Sequence, residues 1–365
     1  MSKSNTQISN ANLATAIMLS SLEIISPSTF GISIPWQQHL NVARQIIHAR
    51  YSAPQSISRK DSVAYFLSRW FAYLDVLGSL SGRTNDLPLF SGDYWAHDGT
   101  EENADEDFVI DCLLGMTPRC IYLMAQIASL ARQCDNERIS STTNLADPHW
   151  RPSPTVLVRA QSLLDEVNEA RKHLTRPCPH RHPSVEPPSA STSPSASKGS
   201  SSTPDVPACS TTPSDGWGTV QLLASNDSFH LAASIHIYRR ILFLPRSHPT
   251  VQSLVNSVVE NLLKIRKGGA AEACLLFPMF TAGCEALKPE VRELILERLK
   301  GMEEVGMMQV TGARRLMERL WEENEAATQA VENEGNEYDD NDDTAFRKKG
   351  EIGWEELLAG GEFFG

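Results

Sequence analysis

The chain has 365 residues, 41% of them hydrophobic, and a formal net charge of -12. That is enough apolar sequence for a sizeable core in one large or two ordinary domains. The charge is concentrated in Glu322 to Asp343, which holds ten acids and no Lys or Arg. The remainder is close to neutral, and so lacks the clustered basic face that nucleic acid requires.

In chain order, Leu13 to Ile25 is apolar but carries Ser20, Ser21 and Glu23 and has no basic lead. It is not a secretory signal, and no segment reaches the length of a membrane span. A soluble, intracellular protein is expected. Pro35 starts a helix through "WQQHLNVARQIIHAR". Asp61 or Ser62 caps the next, with Phe66, Trp70, Tyr73, Leu74 and Leu77 at helical spacing. Aromatic residues at that spacing fill cores. Asp75 sits in the same apolar run, and a buried acid there needs a partner, such as Arg69 or a helix N-terminus. Cys112 to Cys134 reads as a helix broken or kinked at Thr117-Pro118. Ser153-Pro154 reads as an N-cap followed by proline at the first helical position, with Leu157, Ala160, Leu164 and Val167 as the apolar stripe.

Arg176 to Asp215 carries nine prolines and eleven serines, with only Val185 and Val206 as sizeable aliphatic residues. Such a stretch buries too little apolar surface to offset its ordering entropy, so a disordered linker is expected. Beyond it, Phe229 to Leu244 and Pro249 to Lys267 are expected helices, the second ending in cations and then glycine. "AAEACLLFPMFTAGCEAL" reads as one apolar helix with Pro278 inside it. "PEVRELILERLK" and Met307 to about Glu325 follow. Period-two alternation is rare, so the expected class is all-α. The expected organisation is helical parts at 1–175 and 216–325 of one domain, the linker at 176–215, an acidic disordered tract at 326–350 and a short helix at 351–365. The linker is an excursion, because each helical part alone exposes several apolar faces.

Chemistry-bearing motifs are sparse. The seven cysteines are irregularly spaced and include no Cys-x-x-Cys pair, as expected of reduced core thiols. "CPHRH", with Cys178, His180 and His182, offers three metal-ligand types inside proline-rich sequence, where chance composition explains them. "DDNDDTAF" has neither the glycine nor the twelfth-position glutamate of a calcium loop. No nucleophile elbow, phosphate loop or dinucleotide fingerprint occurs. No catalytic, cofactor-binding or metal-ligating residue is therefore assigned. Trp70 and Tyr73, with Phe277 and Phe280 beside Pro278, are the candidates for an apolar pocket or core.

"SRWFAYLDVLGSLSG" closely resembles a helix of the fungal-specific transcription factor domain, the regulatory domain found C-terminal to the zinc binuclear cluster in many fungal regulators. "LSSLEIISPSTFGISIPWQQHLNVARQII", "IDCLLGMTPRCIYLMAQIASLAR", "HLAASIHIYRRILFLP", "VQSLVNSVVENLLKI", "LLFPMFTAGCEAL" and "WEELL" resemble further segments in the family's order. The positions that carry the likeness include Trp70, Phe71, Asp75, Gly78, Gly82, Pro278, Gly283, Cys284 and Glu285. The resemblance implies an all-α regulatory domain acting on RNA polymerase II transcription in the nucleus. It makes the aromatic helix a central core element, with Gly78 and Gly82 expected to let it stop and turn. The family's DNA-reading module is a six-cysteine zinc cluster opening Cys-x2-Cys-x6-Cys, whereas the first cysteine here is Cys112. No DNA or zinc binding is expected from these residues; zinc is expected only if a cluster lies upstream of Met1.

The resemblance further implies partners among the transcription machinery or co-regulators, a homo- or heterodimer with related regulators, and a small-molecule effector. Alternative readings are a helical enzyme or carrier on the same fold, and a modulator that pairs with full-length relatives. Trp354, Leu357, Leu358, Phe363 and Phe364 interrupt the acidic tail in the manner of an activation segment, or dock it on the core. Ser193-Pro194, Thr203-Pro204 and Thr212-Pro213 are expected positions for proline-directed phosphorylation.

Overall fold

Capping residues set where several helices begin. Ser9 and Asn12 form a reciprocal capping box at α1 (Asn10–Ile25). Pro35 immediately precedes α2 (Trp36–Arg50). Asp61 accepts the Ala64 N–H at 3.0 Å and opens α3 (Ser62–Ser81). Thr117 and Ser153 cap α4 (Pro118–Arg138) and α5 (Pro154–Lys172), each with proline at the first position. A missing N–H costs nothing there, because first-turn N–H groups have no helical partner.

The computed structural model describes residues 9–26, 34–50, 61–81, 105–178, 218–304, 306–333, 350–358 and 362–365. After α5 come α6 (Thr219–His236), a π-helical turn Ile237–Ile241, α7 (Pro249–Leu263) and the short α8 (Ala270–Ala273). They are followed by α9 (Leu276–Glu285), α10 (Pro289–Glu303), α11 (Met308–Asn333) and a 3-10 turn, Trp354–Glu356. The fold is all-α. Its one small sheet among the described residues pairs β1 (Val109–Ile110) in parallel with β2 (Arg176–Pro177).

Several boundaries differ from expectation, each for a physical reason. The helix expected from Cys112 starts at Pro118 instead; Asp111 folds the preceding residues into a turn by accepting the Leu113 N–H at 2.8 Å, with Gly115 at φ 74°. "AAEACLLFPMFTAGCEAL" forms two helices, α8 and α9, and Pro278 falls in the first turn of α9, where it removes no helical bond. Order continues past residue 175: Cys178 is buried and its N–H donates to Ile110 O at 3.1 Å. The rest of the expected linker, with its three phosphorylation candidates, lies outside the described residues. α11 runs on to Asn333 rather than ending near Glu325, as suits the strong helix formers Ala326, Ala327 and Ala330. Residues 334–349 lie outside the described set. Among the described residues of 351–365, where a short C-terminal helix was expected, the chain makes a 3-10 turn.

The core joins helices from both sides of residues 179–217. α6 packs against α4, α5, α7 and α9, and Phe229 through His236 are all buried. α3 packs on α1 and α4 and buries Phe71, Leu74 and Leu77. Asp75 on that helix is buried, and its partner is Arg44 of α2, whose Nε donates to Oδ1 at 2.9 Å. Arg69 faces elsewhere and pairs with Asp111 at 2.9 Å. Gly78 lies inside α3 rather than at its end: a Cβ there would stand 2.5 Å from the Trp36 ring. Close packing of α2 on α3, not a turn, requires glycine at that position. Gly82 lies outside the described residues.

Candidate functional site

Of the four residues expected to form an apolar pocket or core, Phe277 and Phe280 are buried in the core and Trp70 and Tyr73 pack against it. Phe277 lies parallel to the His236 ring, with centroids 5.3 Å apart, and Phe280 stacks on Phe364 at 4.0 Å. Trp70 is half-buried and meets Phe66 at 6.0 Å. Burial raises the Tyr73 phenol pKa, with the nearby Cys274 acting in the same direction. The space around Phe280 is filled by the chain's own C-terminal residues.

Those residues form a strap across a buried cluster of charges. Trp354, Phe363 and Phe364 are buried, and Trp354 meets Phe280 edge-on at 5.3 Å. Beneath it lies Arg138, at the end of α4, whose side chain is wholly buried. Its guanidinium donates to Asp135 at 2.6 Å and to Glu355 of the strap at 2.8 Å. The π-helical turn aims two successive arginines in different directions. Arg239 donates to Glu285 and to strap Glu351, both at 2.6 Å. Arg240 reaches Asp135 and the Leu80 carbonyl, and lies over the Trp354 ring at 5.2 Å. Glu356 accepts the Ala146 N–H at 2.8 Å, and Asn324 of α11 exchanges two hydrogen bonds with Ile352, each 3.0 Å.

The electrostatics explain why these charges stay ionised. Burial alone depresses the Arg138 and Arg239 guanidiniums, but the facing carboxylates outweigh it and hold both above the usual range. Arg246, nearby, is depressed because its burial wins. Cys284 and Cys134 are pushed up by burial, Cys134 to about 12, so neither is a thiolate nucleophile. Phe243, at φ 58°, holds its ring against Arg138, 5.1 Å from the guanidinium carbon.

Two histidines of α6 are buried in neutral form. Burial lowers His230 to about 4, although its Nδ1–H donates to the Asn226 carbonyl at 2.9 Å. His236 is lowered too, first by burial and then by Arg240, and its Nε2 meets Thr281 Oγ1 at 3.2 Å. The unfolded chain takes up protons near pH 6.5, while folded His230 resists to about 4. Stability from this histidine is therefore full above the unfolded value and is lost as pH falls between the two. By about pH 5 the loss is about 2 kcal/mol. Urea midpoints at pH 7 and 5 check this, and His230→Gln is expected to reduce the difference by His230's share while leaving that of His236.

Two of the clefts among the described residues lie apart from the charge cluster. One, about 850 Å³, runs between α4 and α5 and is lined by Arg119, Tyr122, Asp165, Glu166 and Glu169, with Phe108 stacked on His173 at its edge. The other, about 470 Å³, lies between α1, the start of α2, the start of α11 and Glu362–Phe364. No group of His, Cys, Asp and Glu able to hold a metal occurs among the described residues, and His180 and His182 lie outside them. No helix among the described residues is long and apolar enough to cross a membrane.

The charge cluster escaped sequence reasoning, although Arg239-Arg240 inside an apolar helix was a signal. Of the positions that carry the family likeness, Glu285 belongs to the cluster, Cys284 is buried beside it, Pro278 is buried in the first turn of α9, and Gly283 accepts the Trp321 indole N–H at 3.0 Å. Phe71, Asp75 and Gly78 belong to the α3 core. The model of the fungal specific transcription factor domain matches residues 1–362 of the chain. No curated protein and no solved structure matches it.

Proposed function

The chain belongs to the fungal specific transcription factor domain family, and from that membership we propose that it is a regulatory module that converts the presence of a small molecule or protein partner into a change in transcription. Membership carries a role in transcription regulation, and implies the nucleus and regulatory protein partners. The family is one of regulators rather than enzymes. In this reading, DNA is contacted by a zinc cluster elsewhere or by a related regulator that pairs with this chain.

The observation that supports a responsive body over a free acidic activator is the seated strap. Trp354 and Glu355 are part of the core, so a signal reaches the tail only through the helices that hold it. The test is to tether the whole chain to an unrelated DNA-binding module upstream of a reporter. Cells are then grown in media that vary one nutrient or xenobiotic class at a time. Output is expected to change several-fold in at least one medium. Constant output across all media, with the fusion present at equal level, would refute the sensing role.

A further inference from the structure

The cleft of about 850 Å³ is open to solvent and bears an excess of negative charge: Asp107, Asp165, Glu166 and Glu169 line it against Arg119. One wall is a face of α5, from Val158 to His173 just past its end. At 1.5 Å per residue that wall is about 22 Å long. Arg119 pairs with Glu166, and Arg159 with Gln126, so α4 runs antiparallel to α5 across the groove. Apolar surface therefore lies towards both ends. Val158 and Tyr122 supply it at one, and Phe108, stacked on His173, at the other. The α5 acids lie between. These groups are accessible: Val158 is 73% exposed, and Asp165, Glu169 and His173 are exposed too. Glu166 is held by Arg119 at 3.0 Å and by Arg159 at 3.6 Å. Asp165 accepts from the neutral Gln161 amide at 3.0 Å, and among the described residues neither it nor Glu169 has a cation partner. Arg119 shows how a cation is received here, since its guanidinium meets Glu166 and lies over the Tyr122 ring, 4.9 Å from the centroid.

We propose that this groove binds a basic segment of a partner protein, with lysine or arginine at its centre and apolar residues on both sides. The proposal rests on the regulatory role above and gives the chemistry of one partner. The length of the groove suits a peptide rather than a compact metabolite: about seven extended residues, at about 3.3 Å each, span it. The order of its walls suits the pattern of the segment. Apolar ends meet Val158 and Phe108, and the basic centre meets Asp165 and Glu169, which are one helical turn apart on α5. Complementary charge steers the encounter and fixes the register. The same carboxylates repel an acidic or phosphorylated segment and a nucleic acid backbone.

The experiment titrates the whole chain into fluorescein-labelled heptapeptides and follows anisotropy. Each peptide has Lys-Arg-Lys at its centre and two apolar residues on each side, drawn from Leu, Val, Phe and Trp. At least one is expected to bind saturably at one site, while its counterpart with Glu-Asp-Glu at the centre does not bind. Asp165→Lys combined with Glu169→Lys is expected to weaken binding at least about tenfold, since each attraction becomes a repulsion. Val158→Gln is expected to weaken it several-fold by removing apolar contact without adding charge. Glu290→Lys combined with Glu293→Lys makes the same charge change at exposed positions of α10, and is expected to leave binding unchanged. All these side chains are exposed, so the variants are expected to keep the thermal midpoint of the parent. Absence of saturable binding by every basic peptide overturns the groove. So does an equal loss in the α10 variant, which would show attraction by bulk charge. Spermine binding as tightly as the best peptide also overturns it, because the apolar ends would then contribute nothing. Peptide binding that the α5 variant weakens, beside a tethered reporter whose output never changes, refutes sensing but leaves the groove. A responsive reporter without peptide binding refutes the groove but leaves sensing.

Discussion

Replacing Trp354 with alanine is expected to destabilise the protein by about 3–5 kcal/mol, the usual cost of emptying a large aromatic core position. Its ring is 3% exposed and is touched on several sides. Phe280 lies 5.3 Å away, His236 5.9 Å, Phe364 6.3 Å, and the Arg240 guanidinium carbon 5.2 Å from the ring centroid. Alanine removes all four contacts at once. Phenylalanine is expected to retain part of them and to cost less. Deleting Gly350 to Gly365 is expected to cost more than Trp354→Ala, because it also strips Glu351 and Glu355 from buried arginines. Urea unfolding measures both. A tail acting as a free activation segment would leave the midpoint unmoved.

The second large effect concerns Arg138 and Glu355. Removing one partner of a buried ion pair leaves a desolvated charge, and costs about 3–5 kcal/mol. Glu355→Gln is expected near the lower end, because Asp135 still faces Arg138 at 2.6 Å. Arg138→Met is expected nearer the upper end: it takes the buried guanidinium from both Asp135 and Glu355 at once, while Arg240 stays at Asp135. Combining Arg138→Met with Glu355→Leu is expected to recover much of the loss, since apolar pairs of similar volume replace buried ion pairs well. A double-mutant cycle checks the coupling, expected at about 2 kcal/mol or more. Additive single effects would mean that the two side chains do not meet.

The helical class, the capped starts at Asp61, Thr117 and Ser153, and the family were legible in the chain because they rest on local patterns. Caps and prolines act within one turn, and an aromatic stripe at helical spacing needs no knowledge of its neighbours. What stayed hidden depends on distant residues. Asp75 was expected to need a partner such as Arg69 or a helix N-terminus, and α2 delivers Arg44. Gly78 was expected to end a helix, but it makes room for Trp36. Thr117-Pro118 was expected to break or kink a helix begun at Cys112; the helix starts at Pro118, because Asp111 and Gly115 turn the earlier residues aside. The tail's composition suits docking and activation equally; only Arg138 and Arg239, waiting beneath it from α4 and the π-helical turn, separate the two.

Amide hydrogen exchange along Ile352 to Leu357 in the intact chain tests the seated strap most directly. The Ile352 N–H donates to Asn324 and the Gly353 N–H to Glu356 Oε1, at 3.0 and 2.8 Å. The Leu357 N–H donates to the Trp354 carbonyl at 3.0 Å. A strap built into the core predicts protection of these three amides approaching that of α6. Exchange at the rate of a free peptide would show the tail undocked and would contradict a regulator that works through its folded body.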